Sequence, residues 1–435
     1  MRENPLKSYS NIFFIGIGGI GVSAIASMML LLGKNVSGSD SNHSNILENL
    51  RMRGAKVFVG HNEENILENI DLVIYTVAIS DDNPELKKAK ELGIPTLSYP
   101  EALGLISQTK KTIAIAGTHG KTTTTGMIAE IFLSAHTDPT VVIGSFLKRG
   151  GDYENFIAGN GEWLIAEACE YRKSFLNLSP YILVITNIDN DHLDYYGTIE
   201  NVQKAFAELA RKVRGDGFIV TNPNNALIKP ALANMKAKII DYTTYPELAL
   251  KIPGAHNRKN AQAAYAVGEL VGISKEIVES VLTHFFGTWR RQEFKGKTRS
   301  GALVYDDYAH HPTEIKATLA GFREMFPDKK ITLVFQPHLY SRTKLLFNDF
   351  VEVLAMADFL IVMPIYAARE RPIKGVTSKK LAEAIKKKNP NTLYMESFNT
   401  IAKKLSELAG KDDVIITMGA GDVYKVGEKL VGISS

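Results

Sequence analysis

The sequence is poor in cysteine: Cys169 is the one cysteine among 435 residues, so an internal disulfide cannot form. This excludes a disulfide-stapled secreted scaffold and favours a reducing, cytoplasmic location. Glycine and proline, at 34 and 16 residues, are too few for a collagen-like or low-complexity chain. The chain also has little net charge, because its 51 Lys and Arg residues and 47 Asp and Glu residues nearly balance and leave a net charge of +4. The basic residues are dispersed, so we expect no nucleic-acid partner.

One long stretch has no charge at all. Residues 8–33 contain no charged side chain, and Arg2 and Lys7 precede them, which is superficially typical of a signal peptide or a membrane span. Glycines between Gly16 and Gly21 would weaken a spanning helix, and no small-residue cleavage pattern follows. A buried strand, a tight turn and a buried helix explain the run better, so we expect no membrane association. The sequence leaves open a monomer or a homodimer.

Short apolar runs alternate with amphipathic stretches along the whole chain, which is typical of parallel sheets with crossover helices. A polar stretch at 106–111 and a polar, basic stretch at 287–297 divide the chain into segments of ordinary domain size. We therefore predict an α/β protein with domains 1–108, 109–290 and 291–435. The predicted strands are 11–15, 36–38, 56–59, 72–76, 112–116, 163–166, 182–186, 302–306, 331–335, 359–363, 392–395 and 414–417. The predicted helices are 20–32, 121–133, 199–213, 257–271 and 275–285, with others beginning near 312, 342, 378 and 400.

The turn Gly16–Gly21 has the G-x-G-x-x-G spacing directly after a predicted strand. Backbone N–H groups at such a helix start can hold a diphosphate, and Asp40 lies about where a ribose-binding acid is expected. Taken alone, the motif favours a nicotinamide dehydrogenase, and a close-packed turn without a ligand is the structural alternative. The candidate residues are Gly16, Gly18, Gly19, Gly21 and Asp40.

A second glycine-containing loop makes a dehydrogenase improbable. The predicted strand 112–116 leads into Gly117–Thr124, which ends in Gly-Lys-Thr at a helix start. Backbone amides there can cradle ATP phosphates, Lys121 can neutralise the β and γ oxygens, and Thr122 can reach Mg²⁺. The loop is a shortened form, because two residues rather than four separate its glycines, and a chance match is the alternative. The candidate ATP-binding residues are Gly117, Thr118, His119, Gly120, Lys121, Thr122 and Thr123.

Acidic residues and a histidine follow the next two predicted strands, at the sheet edge where parallel sheets bind ligands. Glu167 and Glu170 follow strand 163–166, while Asp191 and His192 follow strand 182–186. Since Mg²⁺ prefers oxygen ligands, Glu167 is the better metal ligand and His192 an unusual but chemically acceptable one.

Four residues near these motifs receive a structural interpretation. Asp189, Asp191 and Asp194 are interpreted as helix-capping or loop residues. Cys169 is interpreted as a buried small residue, because a thiol next to Glu170 lacks the cationic surroundings of a nucleophile.

The third segment carries two polar motifs directly after predicted strands. Asp306–Glu314 contains the His310-His311 pair, for which zinc is a weak interpretation because adjacent side chains diverge and no third ligand of suitable spacing follows. Gln336–Arg342 offers His338 and Arg342, and the arginine can bind a carboxylate or a phosphate.

Taken together and in order, these motifs resemble those of the Mur ligases, from about Asn11 to Asp422. The resemblance implies three α/β domains: an N-terminal Rossmann-like domain for a UDP-sugar, a central P-loop-type domain for ATP and Mg²⁺, and a C-terminal Rossmann-like domain that closes on ATP and binds the amino acid. The implied reaction is ATP-dependent amide synthesis in cytoplasmic peptidoglycan assembly, with UDP-N-acetylmuramate and L-alanine as substrates. The motifs are Gly16–Gly21, Gly117–Thr122, Glu167–Glu170, Asp191-His192, Gly254–Asn257 with Asn260, and Asp307–Glu314.

The resemblance also implies roles for individual residues. The Gly16–Gly21 turn is expected to hold a UDP diphosphate rather than a dinucleotide. The remaining roles are magnesium contact for Glu167 and His192, adenine contact for Asn257 and Asn260, an interdomain arginine at Arg290 or Arg291, an acid facing the nucleotide at Asp307, and orientation of the amino acid or the sugar substrate by His338 or Arg342. The expected catalytic set is Lys121, His192, Arg290, Arg291, His338 and Arg342.

Departures from the family pattern and alternatives within it remain. Cys169 stands where many relatives have Asp, and Gly144-Ser145 stands where Gly-Gly is common. Glu170-Tyr171 resembles the recycling members that attach a whole tripeptide to the same UDP-sugar. A non-catalytic UDP-sugar-binding sensor is an alternative of a different class. Members that add later residues carry a CO₂-carbamylated lysine about fourteen residues after the Asp-His pair, and Phe206 occupies that position here.

Overall fold

The computed structural model of the chain describes residues 5–149, 152–368 and 370–432. The chain separates into two compact units, one formed by Met1–Leu248 with Lys259–Thr283 and the other by Ala249–Arg258 with His284–Ser435. Within the described residues, the first unit contains two sheets and the second unit contains one. Most neighbouring strands are parallel, which confirms the predicted α/β class.

The first sheet of the first unit has the strand order of a doubly wound nucleotide-binding fold. Its strands are β1 (Asn11–Ile15), β2 (Asn35–Asp40), β3 (Lys56–Val59), β4 (Leu72–Tyr75) and β5 (Thr96–Ser98), and its helices are α1 (Ile20–Leu31), α2 (Asn45–Met52), α3 (Pro84–Glu91) and α4 (Tyr99–Ser107). The order β3-β2-β1-β4-β5 is parallel throughout. Because helices cover both faces, the central strand is apolar on both sides, and Phe13 and Phe14 are each fully buried. The glycine turn follows β1, where the order reverses.

The second sheet carries the second glycine loop at its centre. Its strands are β6 (Lys111–Ala116), β7 (Thr140–Arg149), β8 (Asp152–Ile157), β9 (Trp163–Glu167), β10 (Ile182–Ile185), β11 (Phe218–Thr221) and β12 (Lys238–Asp241), and the helices in this part of the chain are α5 (Lys121–Ser134), α6 (Leu193–Tyr196), α7 (Ile199–Arg211), α8 (Ala255–Leu270) and α9 (Lys275–Thr283). The order is β12-β11-β10-β6-β9-β7-β8. Strand β6 therefore lies between β9 and β10, and the loops after these three strands meet at one edge.

The sheet of the second unit is parallel except for its first strand. Its strands are β13 (Glu293–Lys297), β14 (Leu303–Asp307), β15 (Lys330–Phe335), β16 (Phe359–Val362), β17 (Thr392–Tyr394) and β18 (Asp413–Met418), and its helices are α10 (Pro312–Met325), α11 (Tyr340–Leu345), α12 (Phe347–Leu354), α13 (Ser378–Lys386), α14 (Phe398–Leu408) and α15 (Tyr424–Val431). The order is β13-β14-β18-β15-β16-β17, with β13 antiparallel to β14.

The uncharged run 8–33 folds as strand β1, a turn and helix α1, as predicted. Among the helices of the described residues, none combines the length and apolar content needed to cross a bilayer. The strands that were not predicted are β5, both strands of the β7–β8 hairpin, β11, β12 and edge strand β13, and the unpredicted helices are α2, α3, α4, α6, α12 and α15. Strand β13 has no buried residue and a mixed polar sequence, so its pattern resembles a loop.

Helix α7 buries one face against the core. The Phe206 side chain is fully buried and its ring packs edge-on against Phe175 at 5.1 Å between centroids. Lys204 is exposed on the same helix. The residue at the position of the relatives' carbamylated lysine therefore belongs to the hydrophobic core.

Candidate active site

The loop between β6 and α5 is bent by two glycines with positive φ. Gly117 has φ of +143° and Gly120 has φ of +82°, conformations that residues with a Cβ rarely adopt. Gly120 is the N-cap of α5, and no side chain caps the helix there. The backbone N–H groups of the first turn of α5 can therefore bind an anion.

Lys121 is the charged group of this loop. Its Nζ donates to the carbonyl oxygens of Gly117 at 2.6 Å and Thr118 at 2.9 Å, and to Glu170 Oε1 at 3.0 Å. Burial, the largest single influence, lowers the pKa of Lys121, but the negative groups around it, Glu170 first, together outweigh burial and the net pKa is raised. Lys121 is therefore a permanent cation whose counter-charge in the protein is a carboxylate.

Thr122 and Glu167 form a set of oxygen donors beside the same loop. Thr122 Oγ1 donates to Glu167 Oε1 at 3.0 Å, and the Gly144 backbone N–H donates to Glu167 Oε2 at 2.9 Å. A Cβ at Gly144 would lie 2.8 Å from Glu167 Oε1, so this glycine permits the close approach. A hydroxyl and a carboxylate are the donor types that Mg²⁺ prefers, so these residues fit that ion.

Sequence reasoning assigned no role in shaping the ATP loop to the segment after β10, yet this segment holds the loop in place. The Asn187 side chain accepts from the His119 N–H at 2.9 Å, and the Asp189 N–H donates to Thr118 Oγ1 at 2.9 Å. The His119 ring lies 3.1 Å from Asp189 Oδ2. The Thr186 hydroxyl donates to the His119 carbonyl at 2.6 Å. Asp189 was expected only to cap a helix or to interact with solvent in a loop, but it also helps to hold the Gly117–Lys121 loop in place.

His192 lies beside the two acidic motifs. Its Nε2 is 3.8 Å from Glu170 Oε1 and 3.8 Å from Asp191 Oδ2, and its ring packs on Tyr171 with centroids 4.9 Å apart. The structure therefore places His192 beside Glu170, the carboxylate that pairs with Lys121.

The expectation that Cys169 is buried is wrong, because its side chain is exposed. The thiol nevertheless lies close enough to Glu170, Lys121 and Glu167 for their charges to act on it. Desolvation by the surrounding protein, followed by the charge of Glu170, raises the pKa of the thiol to about 12. The thiol is therefore protonated near neutral pH, which agrees with the prediction that it is not a nucleophile.

The first glycine turn contacts Asp40, the residue predicted to bind a ribose. Gly16 has φ of +76°, and its N–H donates to the Ser39 carbonyl at 2.8 Å. The Gly18 N–H donates to Asp40 Oδ2 at 3.0 Å. Gly19 is the N-cap of α1, without a side-chain cap. The turn thus presents the uncapped start of a helix at the carboxyl end of β1.

A buried carboxylate that sequence reasoning missed supports the strand end next to this turn. Glu85 is fully buried and accepts from the Ser39 hydroxyl at 2.5 Å and from the Asn65 amide at 2.7 Å. His61 Nδ1 lies 2.8 Å from the same carboxylate. The sequence did not indicate this network, because Glu85 looks like an ordinary polar residue at the start of a helix and its partners are distant in sequence.

In the second unit, Arg290 and Arg291 have different surroundings. Arg290 donates to Asp306 at 2.7 Å and to the carbonyl oxygens of Gly421 at 2.8 Å and Gly419 at 2.6 Å, with 4 % of its side chain exposed. The Arg291 side chain is 28 % exposed and lies 4.0 Å from Glu314. All three nitrogens of the Arg290 guanidinium are engaged within the fold, whereas Arg291 is partly exposed and lies over the Tyr308 ring.

Asp307 lies at the end of β14 and is buried. Its carboxylate accepts from the Ala309 N–H at 2.7 Å and the Gln292 N–H at 3.1 Å. Desolvation raises the pKa of Asp307 to about 7, although the positive charge of Arg291 opposes the shift. The Asn257 side chain donates to Gln292 Oε1 at 2.8 Å, so these predicted residues share one network in the second unit.

Asn260 belongs to the first unit and lies against the ATP loop. Its Oδ1 would be 2.5 Å from a Cβ at Gly120, so only glycine fits there.

In the second unit, Arg342 Nη1 lies 3.1 Å from His338 Nδ1, and the His338 ring stacks on Tyr366. The His338 and His310 rings are 5.7 Å apart. His311 caps helix α10, accepting from the Thr313 N–H at 3.3 Å.

Comparison with known proteins covers nearly the whole chain. The family model described as "Mur ligase family, catalytic domain" matches residues 11–111, "Mur ligase middle domain" matches residues 115–248, and "Mur ligase, glutamate ligase domain" matches residues 290–421. The UDP-N-acetylmuramate--L-alanine ligase of Caldanaerobacter subterraneus is 41% identical over 99% of each chain. That of Clostridium perfringens is 40% identical over 96% of each chain.

Solved structures show the same architecture. The UDP-N-acetylmuramate-alanine ligase of Thermotoga maritima superposes with a TM-score of 0.82 at 29% identity, over 97% of this chain and 98% of that chain. A murein peptide ligase of Psychrobacter arcticus has a TM-score of 0.70 at 23% identity, with 98% of both chains covered, and shows the shared fold. On these full-length matches and its ordered motifs, the chain belongs to the Mur ligase family.

Proposed function

We propose that this chain is an ATP-dependent ligase that joins L-alanine to UDP-N-acetylmuramate in cytoplasmic peptidoglycan precursor synthesis. The observation that carries the proposal is identity of 40–42% along nearly the whole chain to relatives that bear this activity in their names. The loop that holds Lys121, Thr122 and Glu167 together supports phosphoryl transfer from ATP. The tripeptide-adding alternative has weaker support, because the murein peptide ligase is less similar.

The reaction has two steps. A carboxylate oxygen of the sugar substrate attacks the γ-phosphorus of ATP, the bond to the β–γ bridging oxygen breaks, and ADP leaves with that electron pair. The alanine amine then attacks the acyl carbon of the acyl phosphate, and inorganic phosphate leaves as the nitrogen loses a proton to solvent. Two anions must approach each other in the first step, so catalysis depends on positioning and charge neutralisation.

The ATP loop supplies that neutralisation. Gly117, Thr118, His119, Gly120 and Thr123 line the phosphates, and Lys121 exchanges Glu170 for phosphoryl oxygens. Thr122, Glu167 and His192 are the residues that would hold Mg²⁺, which when bound neutralises the β and γ phosphates. Preorganised charge of this kind needs no rearrangement during the reaction.

The remaining ligands are assigned to the other sites. The diphosphate of the UDP-sugar binds at Gly16, Gly18 and Gly19, with the uncapped start of α1 facing it. Asn257, Asn260 and Asp307 contact the nucleotide, and His338 with Arg342 orients the amino acid. The proposed domains are 1–108 for the UDP-sugar, 109–290 for ATP and Mg²⁺, and 291–435 for the amino acid.

The direct test of the function is ADP release by the purified chain with ATP and Mg²⁺. We expect release to require both UDP-N-acetylmuramate and a free amino acid, with L-alanine the best. In a parallel assay, ADP release is measured with the tripeptide that the recycling enzymes use in place of the amino acid. Release with the tripeptide and none with L-alanine would replace this function with the recycling one.

Lys121→Ala is expected to lower turnover by at least about a hundredfold, because loss of one preorganised electrostatic group costs about 2.7–4 kcal/mol at the transition state. Since Glu170 would lose its partner, the double variant Lys121→Met/Glu170→Gln removes the charges together. We expect it to fold and to be equally slow in the ADP-release assay. The control is Lys212→Ala, an exposed lysine on the same unit. Near-normal turnover of the double variant contradicts the assigned role.

Arg290 and Arg291 are expected to separate into a structural and a functional residue. Arg290→Ala leaves Asp306 buried without its partner and should reduce the free energy of unfolding by about 3–5 kcal/mol. Arg291→Ala should unfold as the wild type does, yet lose about tenfold or more in kcat/KM. Denaturant unfolding and ADP release measure the two effects. The reverse result, a stable and inactive Arg290→Ala with a fully active Arg291→Ala, contradicts the assignment.

Lys204→Ala is expected to retain most activity, because no carbamate forms at this helix. Phe206 is buried in the core and cannot bind a cation, and Lys204 lies two residues earlier, about 200° around the helix. Added bicarbonate or short carboxylic acids should not change turnover of this variant. Abolished activity that a short carboxylic acid restores would place a carbamate on Lys204.

A further inference from the structure

One tyrosine of the first unit packs against the first glycine turn and lies close enough to Glu167 and Cys169 for their charges to act on it. Tyr99 begins helix α4 directly after β5, at the carboxyl end of the first sheet. A Cβ on Gly21 would lie 2.5 Å from Tyr99 Cζ and 2.8 Å from its hydroxyl oxygen. The last glycine of the Gly16–Gly21 motif is therefore needed for the Tyr99 ring, whereas the earlier glycines shape the turn that faces a diphosphate.

The Tyr99 hydroxyl has a free hydrogen-bonding capacity in this position. Among residues 5–149, 152–368 and 370–432, no group forms a hydrogen bond with it, and the side chain is only half-buried. Desolvation, followed by the charges of Cys169 and Glu167, raises the pKa of Tyr99. The phenol is therefore an uncharged donor across the neutral range, near enough to Glu167 to be influenced by its charge.

The hydroxyl lies against Gly21, at the start of the helix that follows the first turn, and within range of the charge of Glu167. If the diphosphate of a sugar nucleotide is held at Gly16–Gly19, and its reacting acid must reach the phosphoryl group near Thr122 and Glu167, the sugar and its acid lie between them. An acid brought towards Glu167 meets another carboxylate. A neutral O–H donor there stabilises the incoming carboxylate without adding a cation that would compete with Lys121 for the phosphates.

We propose that the Tyr99 hydroxyl donates a hydrogen bond to the carboxylate of the sugar substrate and thereby distinguishes acid-bearing from acid-free UDP-sugars. Tyr99 is then a specificity-determining residue that also orients the acid for its attack on ATP. This inference rests on the proposed function, since it assumes an acid-bearing UDP-sugar as substrate.

Tyr99→Phe tests the inference, because it keeps the ring against Gly21 and removes only the hydroxyl. Two nucleotides serve as probes in calorimetric titration: UDP-N-acetylmuramate, and UDP-N-acetylglucosamine, which lacks the lactyl acid. We expect the variant to bind the first about tenfold more weakly, in line with a lost hydrogen bond to a charged group, and the second as the wild type does. The value of kcat/KM for UDP-N-acetylmuramate should fall at least as much, with KM for ATP unchanged.

Tyr9→Phe is the matched control, because Tyr9 lies before β1, at the opposite end of the same sheet. This substitution should leave the affinities for both UDP-sugars unchanged. Thermal unfolding of Tyr99→Phe should match the wild type. Equal weakening for both nucleotides would assign the hydroxyl to the nucleotide and overturn the inference, as would wild-type affinity and kinetics in the variant. A wild-type chain that does not prefer the acid-bearing nucleotide would instead refute the proposed function, and this inference with it.

Discussion

The buried ion pair between Lys121 and Glu170 is the interaction on which the ATP loop depends. Lys121 also bridges two carbonyl oxygens of the loop, so the same ammonium group closes the loop and supplies its charge. Leaving either partner of a buried pair alone costs about 3–5 kcal/mol, so the carboxylate keeps the lysine charged and in position. An arriving phosphate then exchanges one anionic partner for another, and the lysine need not be desolvated again. The chemistry of the loop is thus prepared by a residue that follows the neighbouring strand, β9.

Features that depend on local geometry could be predicted from the sequence. The strand–turn–helix units at Gly16–Gly21 and Gly117–Lys121 follow from glycine's tolerance of positive φ and from apolar strands buried on both faces. Partners that are distant in sequence could not be predicted in the same way. Asn187 looks like an ordinary loop residue, and Glu85 looks like an exposed helix residue. Their roles arise only when parallel strands bring the loops to one edge.

The adjacent residues Arg290 and Arg291 show even more clearly that contacts distant in sequence cannot be predicted from local pattern. Arg290 and Arg291 have the same side chain and follow the same basic segment, so no pattern of composition separates them. The backbone of Arg290 has φ of 56°, in the left-handed region, and its guanidinium enters a site built from Asp306, Gly419 and Gly421. The carbonyl oxygens come from the loop after β18, more than a hundred residues later. Burial of Arg290 therefore leaves Arg291 as the residue available to a ligand.

The β7–β8 hairpin, which the sequence pattern did not predict, connects the two sites of the first unit. The Asn155 side chain on β8 donates to the Ile20 carbonyl at 2.6 Å and to Ser23 Oγ at 2.8 Å, in the first turn of the helix that follows the diphosphate turn. Gly144 on β7 donates its N–H to Glu167. The two strands are hydrogen-bonded to each other, so the hairpin links the start of α1 to Glu167, one of the residues proposed to hold magnesium. Because in-line transfer tolerates little displacement, a structural link between the two glycine turns suits the reaction proposed for them.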